Sequence, residues 1–368
     1  MPGARDLDAL HIDADVARAR TLPGWVYDDP AWFDRLRDRV FPRTWHLRPI
    51  DARPASSGDL TPWELLPATL DEPLLLSHDG TRLRCLSNVC THRGKVLIER
   101  PCNASNIRCG YHGRRFELDG TLRSAPGFDR CPDFPTKSDH LPSAALGQWR
   151  TLLFGGLAPA MDFDAFFGPV ATRIDPLVPD ALRFDAERSE HYEMNANWAL
   201  YCDNYLEGFH IPYVHTGLNA ALDWSEYRIE TFAWGSVQIA RAKPDELAFD
   251  LPPGHPDHGT RIAAYYFWLF PCTMVNVYPW GLSLNVVLPQ GPRRTKVVFM
   301  RYVWDETRAG TGAGGALDEV EYEDEAVVEA CARGVRSRLY DRGRYAPGHE
   351  DGVHHFHRLL VAASNAQI

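Results

Sequence analysis

Two short segments with paired metal-ligand residues constrain the fold of this chain more than any other feature. The first contains Cys90 and His92, and the second, separated from His92 by sixteen residues, contains Cys109 and His112. Each segment offers one thiolate and one imidazole, so a fold that uses them must bring two separate loops side by side. Structural zinc fingers usually have two Cys first and two His afterwards. The order found here therefore predicts a different kind of metal centre, held by two loops.

A Rieske 2Fe-2S cluster requires this set of ligands, because two Cys hold one of its irons and two His hold the other. Each loop then gives one ligand to each iron. We interpret Cys90, His92, Cys109 and His112 as the ligands of such a cluster. A zinc site made from the same four side chains is the alternative, and it predicts a colourless protein.

Composition and charge narrow the classes of partner. The chain has 368 residues, 45% of them hydrophobic, and a formal net charge of −10. An acidic protein is a poor general binder of nucleic acid, which attracts basic surfaces. No run of 18 apolar residues occurs, the first residues after Met1 do not form an apolar export segment, and the six other Cys do not resemble a disulfide framework. We expect a cytoplasmic protein with no nucleic-acid or membrane partner.

Basic residues accumulate around the two loops. Such a rim could dock an acidic electron donor, although some of these side chains could instead pair with carboxylates or cover apolar surface. The residues are Arg93, Lys95, Arg100, Arg108, Arg114 and Arg115.

The first half of the chain has the sequence pattern of short β-strands joined by turns. Short apolar runs separated by turn residues extend from Trp45 to about Phe154, and the segment 118–121 is typical of a hairpin turn. Before them, Asp29 and Pro30 predict the cap and first turn of an amphipathic helix. We divide the chain into an N-terminal helical part of the catalytic domain (1–44), a Rieske domain (45–157) and a catalytic domain (158–368).

The second half has a mixed pattern. Runs rich in β-branched and aromatic residues predict one large antiparallel sheet, and helices are predicted at 195–210 and 318–336. The fold class is therefore α+β, with an all-β domain inserted into an α+β catalytic domain. The predicted strands cover 227–232, 264–270, 282–288 and 296–303.

A second metal site is indicated near residue 210. Asp203, Glu207 and His210 have the spacing of one helix face. Pro212 disfavours a regular continuation of the helix, so His215 can turn back toward His210. Two His and one carboxylate are the ligand set of non-haem Fe(II) oxygenases.

The carboxylate is expected from the acidic helix 318–336. Asp324 lines up with the apolar stripe of this helix and is expected to face inward, whereas Glu321, Glu325 and Glu329 are expected to stay solvated. Spacing alone leaves other carboxylates of the helix open as the ligand. The stripe consists of Val327, Val328, Cys331 and Val335.

Together with the two loops, the segment 203–215 resembles the mononuclear iron motif in α subunits of the Rieske non-haem iron oxygenases, the ring-hydroxylating oxygenase superfamily. The resemblance covers nearly the whole chain and is looser toward the C-terminus. It implies one 2Fe-2S cluster and one mononuclear Fe(II). The implied ligands are Cys90 and Cys109 for one cluster iron, His92 and His112 for the other, and His210, His215 and Asp324 for the mononuclear iron.

The same resemblance suggests roles for two carboxylates. Glu207 matches the family's bridging carboxylate, which in the family's homotrimer would link His112 of one subunit to His210 of the next. Many members have Asp there, and Glu is more similar to the branch that acts on choline, carnitine and betaines. Asp203 is a candidate for a supporting role behind the metal ligands. Arg114 stands where many members have Trp.

The resemblance implies a monooxygenase or dioxygenase that takes electrons either from a separate NAD(P)H-dependent flavin and iron-sulfur reductase or from a ferredoxin. The one Gly-x-Gly-x-x-Gly string, at 310–315, lies in a run rich in Gly and Ala that looks like a flexible loop, so we expect the reductase to be a separate chain. We expect O2-dependent hydroxylation or N-dealkylation of a small organic molecule, with quaternary ammonium compounds as candidates. Aromatic ring hydroxylation is the first alternative. An electron-transfer Rieske protein or a zinc-stabilised binding module is the second.

Two further patterns remain open. The aromatic run 265–268, with Tyr278 and Trp280, suits either a cation-binding cage, a flat pocket for an aromatic ring, or simply the core. The C-terminal His354, His355 and His357 are expected to lie at the surface.

Overall fold

The computed structural model describes residues 6–50, 52–223, 226–315 and 317–368. The first five residues of the predicted N-terminal part thus lie outside the described residues. The chain divides into two compact units. We name them the β unit, His46–Pro159, and the mixed unit, Met1–Trp45 with Ala160–Ile368.

The strands of the β unit are β1 (His46–Leu47), β2 (Asp59–Leu65), β3 (Glu72–His78), β4 (Leu83–Ser87), β5 (Cys102–Asn103), β6 (Ile107–Arg108), β7 (Arg115–Phe116), β8 (Leu122–Ser124), β9 (Ala145–Trp149) and β10 (Leu152–Gly156). They form three antiparallel sheets, with strand orders β1-β10-β9, β4-β3-β2-β5 and β6-β7-β8.

One core cluster of the β unit contains both predicted cysteine ligands. Cys90 and Cys109 are buried among side chains that include Leu75, Ile107 and Phe116. The predicted hairpin turn between β7 and β8 is present. Gly120 adopts a φ of 90° there, a left-handed conformation that glycine tolerates best.

The mixed unit contains the predicted large antiparallel sheet. Its strands are β11 (Phe184–Asp185), β12 (His191–Met194), β13 (Arg228–Phe232), β14 (Gly235–Arg241), β15 (Ile262–Leu269), β16 (Thr273–Tyr278), β17 (Gly281–Pro289) and β18 (Thr295–Val303). The strand order is β11-β18-β17-β16-β15-β14-β13, and β12 also pairs with β18. All four predicted strands are present, whereas β11, β12, β14 and β16 were not predicted.

The α-helices belong to the mixed unit. The predicted N-terminal helix is confirmed, since Asp29 caps it by accepting from the N–H groups of Ala31 and Trp32. No helix among the described residues is long and apolar enough to cross a membrane. The helices are α1 (Pro30–Arg39), α2 (Phe163–Ile174), α3 (Trp198–Tyr205), α4 (Ile211–Val214), α5 (Thr216–Ala221), α6 (Leu317–Gly334) and α7 (Asp351–Ser364).

The single helix predicted over 195–210 is wrong. The helix ends at Tyr205, and a turn separates α3 from α4. The backbone N–H of His210 donates to the Glu207 carboxylate at 3.1 Å, a local side-chain bond that competes with helix geometry. Glu207 and His210 therefore do not share a helix face with Asp203.

Candidate metal centres and active site

The two ligand loops of the β unit repeat one backbone pattern. In each, the cysteine N–H donates 2.8 Å to the carbonyl five residues later, and a glycine N–H four residues after the cysteine donates back to its carbonyl. Both glycines have positive φ values, 69° and 75°. The local sequence thus folds both loops the same way although their Cys–His spacings differ. The residues are Cys90, Gly94 and Lys95 in the first loop and Cys109, Gly113 and Arg114 in the second.

The structure brings the four predicted ligands together as two like pairs. The rings of His92 and His112 lie 4.7 Å apart between centroids, and the thiols of Cys90 and Cys109 are close enough to affect each other's ionisation. Burial raises the pKa of Cys90. Burial opposes ionisation of Cys109 as well, but N–H groups of the second loop outweigh it and lower the pKa of Cys109. Thiol thus lies near thiol and imidazole near imidazole, the pairing that the two irons of a Rieske cluster require.

The donor arrangement fits a cluster better than a single zinc ion. A tetrahedral zinc ion holds its ligand atoms about 2.0–2.3 Å away, and therefore less than about 4 Å from one another. Among the described residues, only a group in the mixed unit brings three such atoms within 4.8 Å of one another, so the four loop side chains do not close on one ion. The buried Nδ1 of His92 also lacks a hydrogen-bond partner, as expected of an atom that binds a metal.

Arg114, which stands where many family members have Trp, ties the two loops together. Its side chain is 3% exposed, donates to the Thr91 hydroxyl at 3.0 Å and lies 3.6 Å from Asp139. Its guanidinium also sits 4.4 Å from the ring centre of Phe128. The prediction of Arg114 as part of a basic rim is therefore wrong. Arg93, which directly follows His92, is exposed and remains a candidate member of the basic rim.

In the mixed unit, three predicted ligands converge. His210 Nε2 lies 3.1 Å from His215 Nε2, and the nearer carboxylate oxygen of Asp324 lies 3.0 Å from His215 Nε2 and 3.5 Å from His210 Nε2. Atoms bound at right angles to one ion, each about 2.1 Å from it, lie about 3 Å apart. The three atoms therefore fit one face of an octahedral metal ion.

A carboxylate orients each imidazole. The Nδ1 atom of His210 lies 2.6 Å from Glu207, and that of His215 lies 2.7 Å from Glu323. Both Nε2 atoms are consequently left to face a metal, the usual carboxylate–histidine–metal arrangement. Burial disfavours protonation of His215, but hydrogen bonds and charges of Asp324 and Glu323 outweigh it and raise the pKa of His215.

The inward face of α6 differs from the predicted stripe. Asp324 points into the site, with 16% of its side chain exposed, but Cys331 is exposed and Ala332 is buried. Glu321, expected in solvent, is 5% exposed. Glu323 was not singled out from the sequence. The inward position of Glu321 could have been predicted from its i, i+3 spacing to Asp324, which places both on one helix face.

A cavity of about 100 Å³ opens beside the three ligand atoms. It contains carboxylates but, among the described residues that line it, no lysine or arginine. From the predicted aromatic cage, Tyr266 and Tyr278 line the cavity, whereas Tyr265 and Trp268 belong to the core. Aromatic rings form much of its wall, and they come from Tyr201, Tyr205, Tyr227, Tyr266, Tyr278 and Phe299.

Asp203 lies in a separate buried network. Its carboxylate accepts from the Tyr27 hydroxyl at 2.7 Å and lies 2.8 Å from His357 Nε2, while the other ring nitrogen of His357 lies 2.6 Å from the Tyr345 hydroxyl. These bonds lead away from His210 and give Asp203 no supporting role there. The expectation that the C-terminal histidines lie at the surface is wrong for His354 and His357, which are buried.

Comparison with protein families identifies both units. Residues 56–135 match the Rieske [2Fe-2S] domain, and residues 182–364 match the catalytic domain of the ring hydroxylating alpha subunit.

Similar proteins align with this chain over most of its length and of their own. Choline monooxygenase of Arabidopsis thaliana is 30% identical over 93% of this chain and 82% of its own length. The carnitine monooxygenase oxygenase subunit of Escherichia coli K12 is 26% identical over 95% of each chain. A solved quaternary ammonium Rieske monooxygenase, in complex with L-carnitine, superposes with a TM-score of 0.73 at 22% identity over 95% of this chain and 97% of its own.

The naphthalene 1,2-dioxygenase of Rhodococcus has the same fold, with a TM-score of 0.73 at 19% identity, over 94% of this chain and 95% of its own. The likeness to both solved structures shows the fold, and the sequence matches show the family. A 2Fe-2S cluster and a mononuclear iron are the cofactors of this family, and the donor sets described above fit them. The chain belongs to the Rieske non-haem iron oxygenases, a family of oxidoreductases.

Proposed function

We propose that this enzyme is the oxygenase component of a system that hydroxylates or N-dealkylates a small quaternary ammonium compound. The observation that carries the proposal is the cavity beside His210, His215 and Asp324, which has aromatic rings, carboxylates and no lysine or arginine among its described lining. Aromatic faces and carboxylates attract cations. The similar choline and carnitine monooxygenases support the same substrate class.

The proposed ligand assignments follow the predicted ones, and so does the division into 1–44, 45–157 and 158–368. Cys90 and Cys109 hold one cluster iron, His92 and His112 the other, and the triad in the mixed unit holds the third iron. When bound, these groups supply single-electron transfer and the activation of O2. The protein orients the imidazoles through Glu207 and Glu323 and positions the substrate in the cavity. One oxygen atom enters the substrate and the other leaves as water, with two electrons and two protons from the reductant.

A single-turnover experiment tests the substrate class. Iron-loaded enzyme is reduced chemically, mixed with O2 and either choline or naphthalene, and its products are analysed. We expect an aldehyde from choline, formed by hydroxylation or by release of a methyl group as formaldehyde. A ring-hydroxylated product from naphthalene, without turnover of choline, would establish the alternative of an aromatic dioxygenase.

We propose further that the enzyme is a homotrimer in the cytoplasm, fed by a separate NAD(P)H-dependent reductase or ferredoxin, and that Glu207 carries electrons across the subunit interface. The support is the contact of Glu207 with His210 and the exposure of His112. Inter-subunit electron transfer is named for a solved quaternary ammonium monooxygenase of the same fold. The eight cysteines are unpaired with one another, as suits a reducing compartment.

Mixed oligomers test the bridge. A Cys90→Ser subunit lacks the cluster and a His215→Ala subunit lacks the mononuclear iron, so each homo-oligomer is inactive. If electrons cross between subunits, oligomers reassembled from both variants regain part of the activity. Mixed oligomers that stay inactive would show that electrons remain within one subunit.

A further inference from the structure

We infer that Glu321 is the binding residue for the substrate's positive charge, and that it selects ammonium substrates without a carboxylate. The inference rests on the proposed function and names its substrate more closely. It goes beyond the metal ligands, because Glu321 touches neither imidazole of the triad by a hydrogen bond.

The position of Glu321 is that of a ligand-binding group. It lies on α6 one turn before Asp324 and lines the same cavity. The residue is 5% exposed. One carboxyl oxygen accepts from the Tyr201 hydroxyl at 3.0 Å, while the other is buried without any hydrogen-bond partner. A trimethylammonium group has no N–H to donate, but its positively polarised methyl groups would be attracted electrostatically to this unpaired oxygen.

A directed chain of hydrogen bonds ends on this carboxyl group. Tyr205 donates to Asn276 at 2.7 Å, and Asn276 donates to Asn285 at 2.9 Å. Asn285 donates to Tyr201 at 3.0 Å, which donates to Glu321. Because every donor points toward Glu321, the chain favours negative charge on it and fixes its orientation. All five side chains line the cavity.

Among the described residues, no lysine, arginine or histidine forms an ion pair with Glu321. Arg301 is a buried cation that acts on Glu321, but its guanidinium is paired with Asp318 and it does not line the cavity. Burial, followed by the negative charge of Asp324, raises the pKa of Glu321 well above its ordinary value, although the hydrogen bond from Tyr201 opposes the rise. A bound substrate cation would favour the ionised form of this carboxyl group.

The same charges disfavour an anionic group on the substrate. A carboxylate tail would meet Glu207 and Glu321 with no lysine or arginine among the described lining residues to pair with it. Like charges in a buried site repel, and specificity often arises from such repulsion. The cavity therefore suits a trimethylammonium group with an uncharged polar tail, such as an amino alcohol.

Three probes of similar shape test the inference on the iron-loaded enzyme without O2. Choline has the cation alone, glycine betaine adds a carboxylate, and 3,3-dimethylbutan-1-ol replaces the cation with neutral carbon. We expect the wild type to bind choline at least about tenfold more tightly than either other probe, a ratio that corresponds to about 1.4 kcal/mol of attraction between the cation and the carboxylate and aromatic rings. The measurement is the Kd of each probe by calorimetry.

Substitution then locates the charge. Glu321→Gln should weaken choline binding about 10–100-fold and leave the neutral alcohol unchanged, whereas Glu319→Gln, at an exposed position of the same helix, should change neither. Choline preference that survives in Glu321→Gln, or wild-type binding of glycine betaine as tight as that of choline, overturns the inference and leaves the proposed function standing. If the wild type binds neither ammonium compound and oxidises naphthalene, the proposed function fails as well. The comparison of probes on the wild type needs no variant to fold.

Discussion

The two metal centres of this chain are built in opposite ways. In the β unit, the ligand loops lie so near in sequence that the bond joining them, from Arg114 to Thr91, spans 23 positions. In the mixed unit, His215 meets Asp324 across 109 positions. The first centre depends on local backbone hydrogen bonds, and the second on the packing of α6 against the rest of its unit. A metal centre built from neighbouring loops can therefore be predicted from a short sequence motif, whereas one built from distant segments depends on the tertiary fold.

Cys90→Ser gives the largest expected effect. Without one thiolate the cluster is not retained, so the protein should lose its red-brown colour, about two of three irons and all detectable oxygenase activity. The mixed unit does not depend on this loop for its own ligands. Iron analysis and visible spectroscopy check the result. Loss of all three irons would contradict the independence of the two centres.

Asp324→Ala should remove only the mononuclear iron. The two imidazoles lose their shared carboxylate partner, so about one iron of three is lost and turnover stops, while the Rieske absorption remains. The matched control is Glu319→Ala on the exposed side of α6, which should keep all three irons. An Asp324→Ala enzyme with full iron content would show that another carboxylate is the ligand.

Glu323→Gln should have a smaller effect on the same centre. The substitution keeps the shape of the side chain but removes the charge 2.7 Å from His215 Nδ1, and loss of such a partner typically costs about 10–100-fold in metal affinity or activity. Competition with a chelator measures the affinity. Glu319→Gln serves as control, and an unchanged affinity in Glu323→Gln would mean that Asp324 alone orients the imidazole.

Val328→Ala tests the role of packing directly. Val328 is 2% exposed on the inner face of α6, and removing two buried methyl groups should cost about 2 kcal/mol in the free energy of unfolding. We expect lower occupancy of the mononuclear iron with an unchanged cluster spectrum. Denaturant unfolding and iron analysis provide the measurement. A loss of cluster absorbance as large as the loss of mononuclear iron would refute the contrast between local and packed centres.

Sequence reasoning succeeded where a short segment carries its own geometry. Asp29 and Pro30 predicted the start of α1, and the four Cys and His predicted a centre that the structure assembles as paired sulfurs and paired nitrogens. It failed at the end of α3, because the Glu207 carboxylate captures the N–H of His210 and ends the helix early. The helical spacing of residues in the sequence gives no sign of such a bond between a side chain and the backbone.

The acidic helix shows the limit most clearly. Its sequence offers a series of carboxylates with similar local surroundings, and spacing alone left the ligand open among them. The fold rotates the helix so that Asp324 meets the imidazoles, Glu323 supports one of them and Glu321 is buried in the cavity. Burial changes the chemistry of a carboxyl group, and burial is a property of the packed chain.

By itself, the sequence determined the family and the presence of two metal centres, and it predicted the residues of the loop centre, since those loops fold through contacts within a few positions of each cysteine. Only the tertiary structure decided which carboxylates orient the imidazoles, that Asp203 and His357 form a separate buried network, and that the cavity has no lysine or arginine among its described lining residues. These features arise where distant segments meet, and the local sequence pattern around a residue gives no information about the charge of a neighbour about 100 positions away.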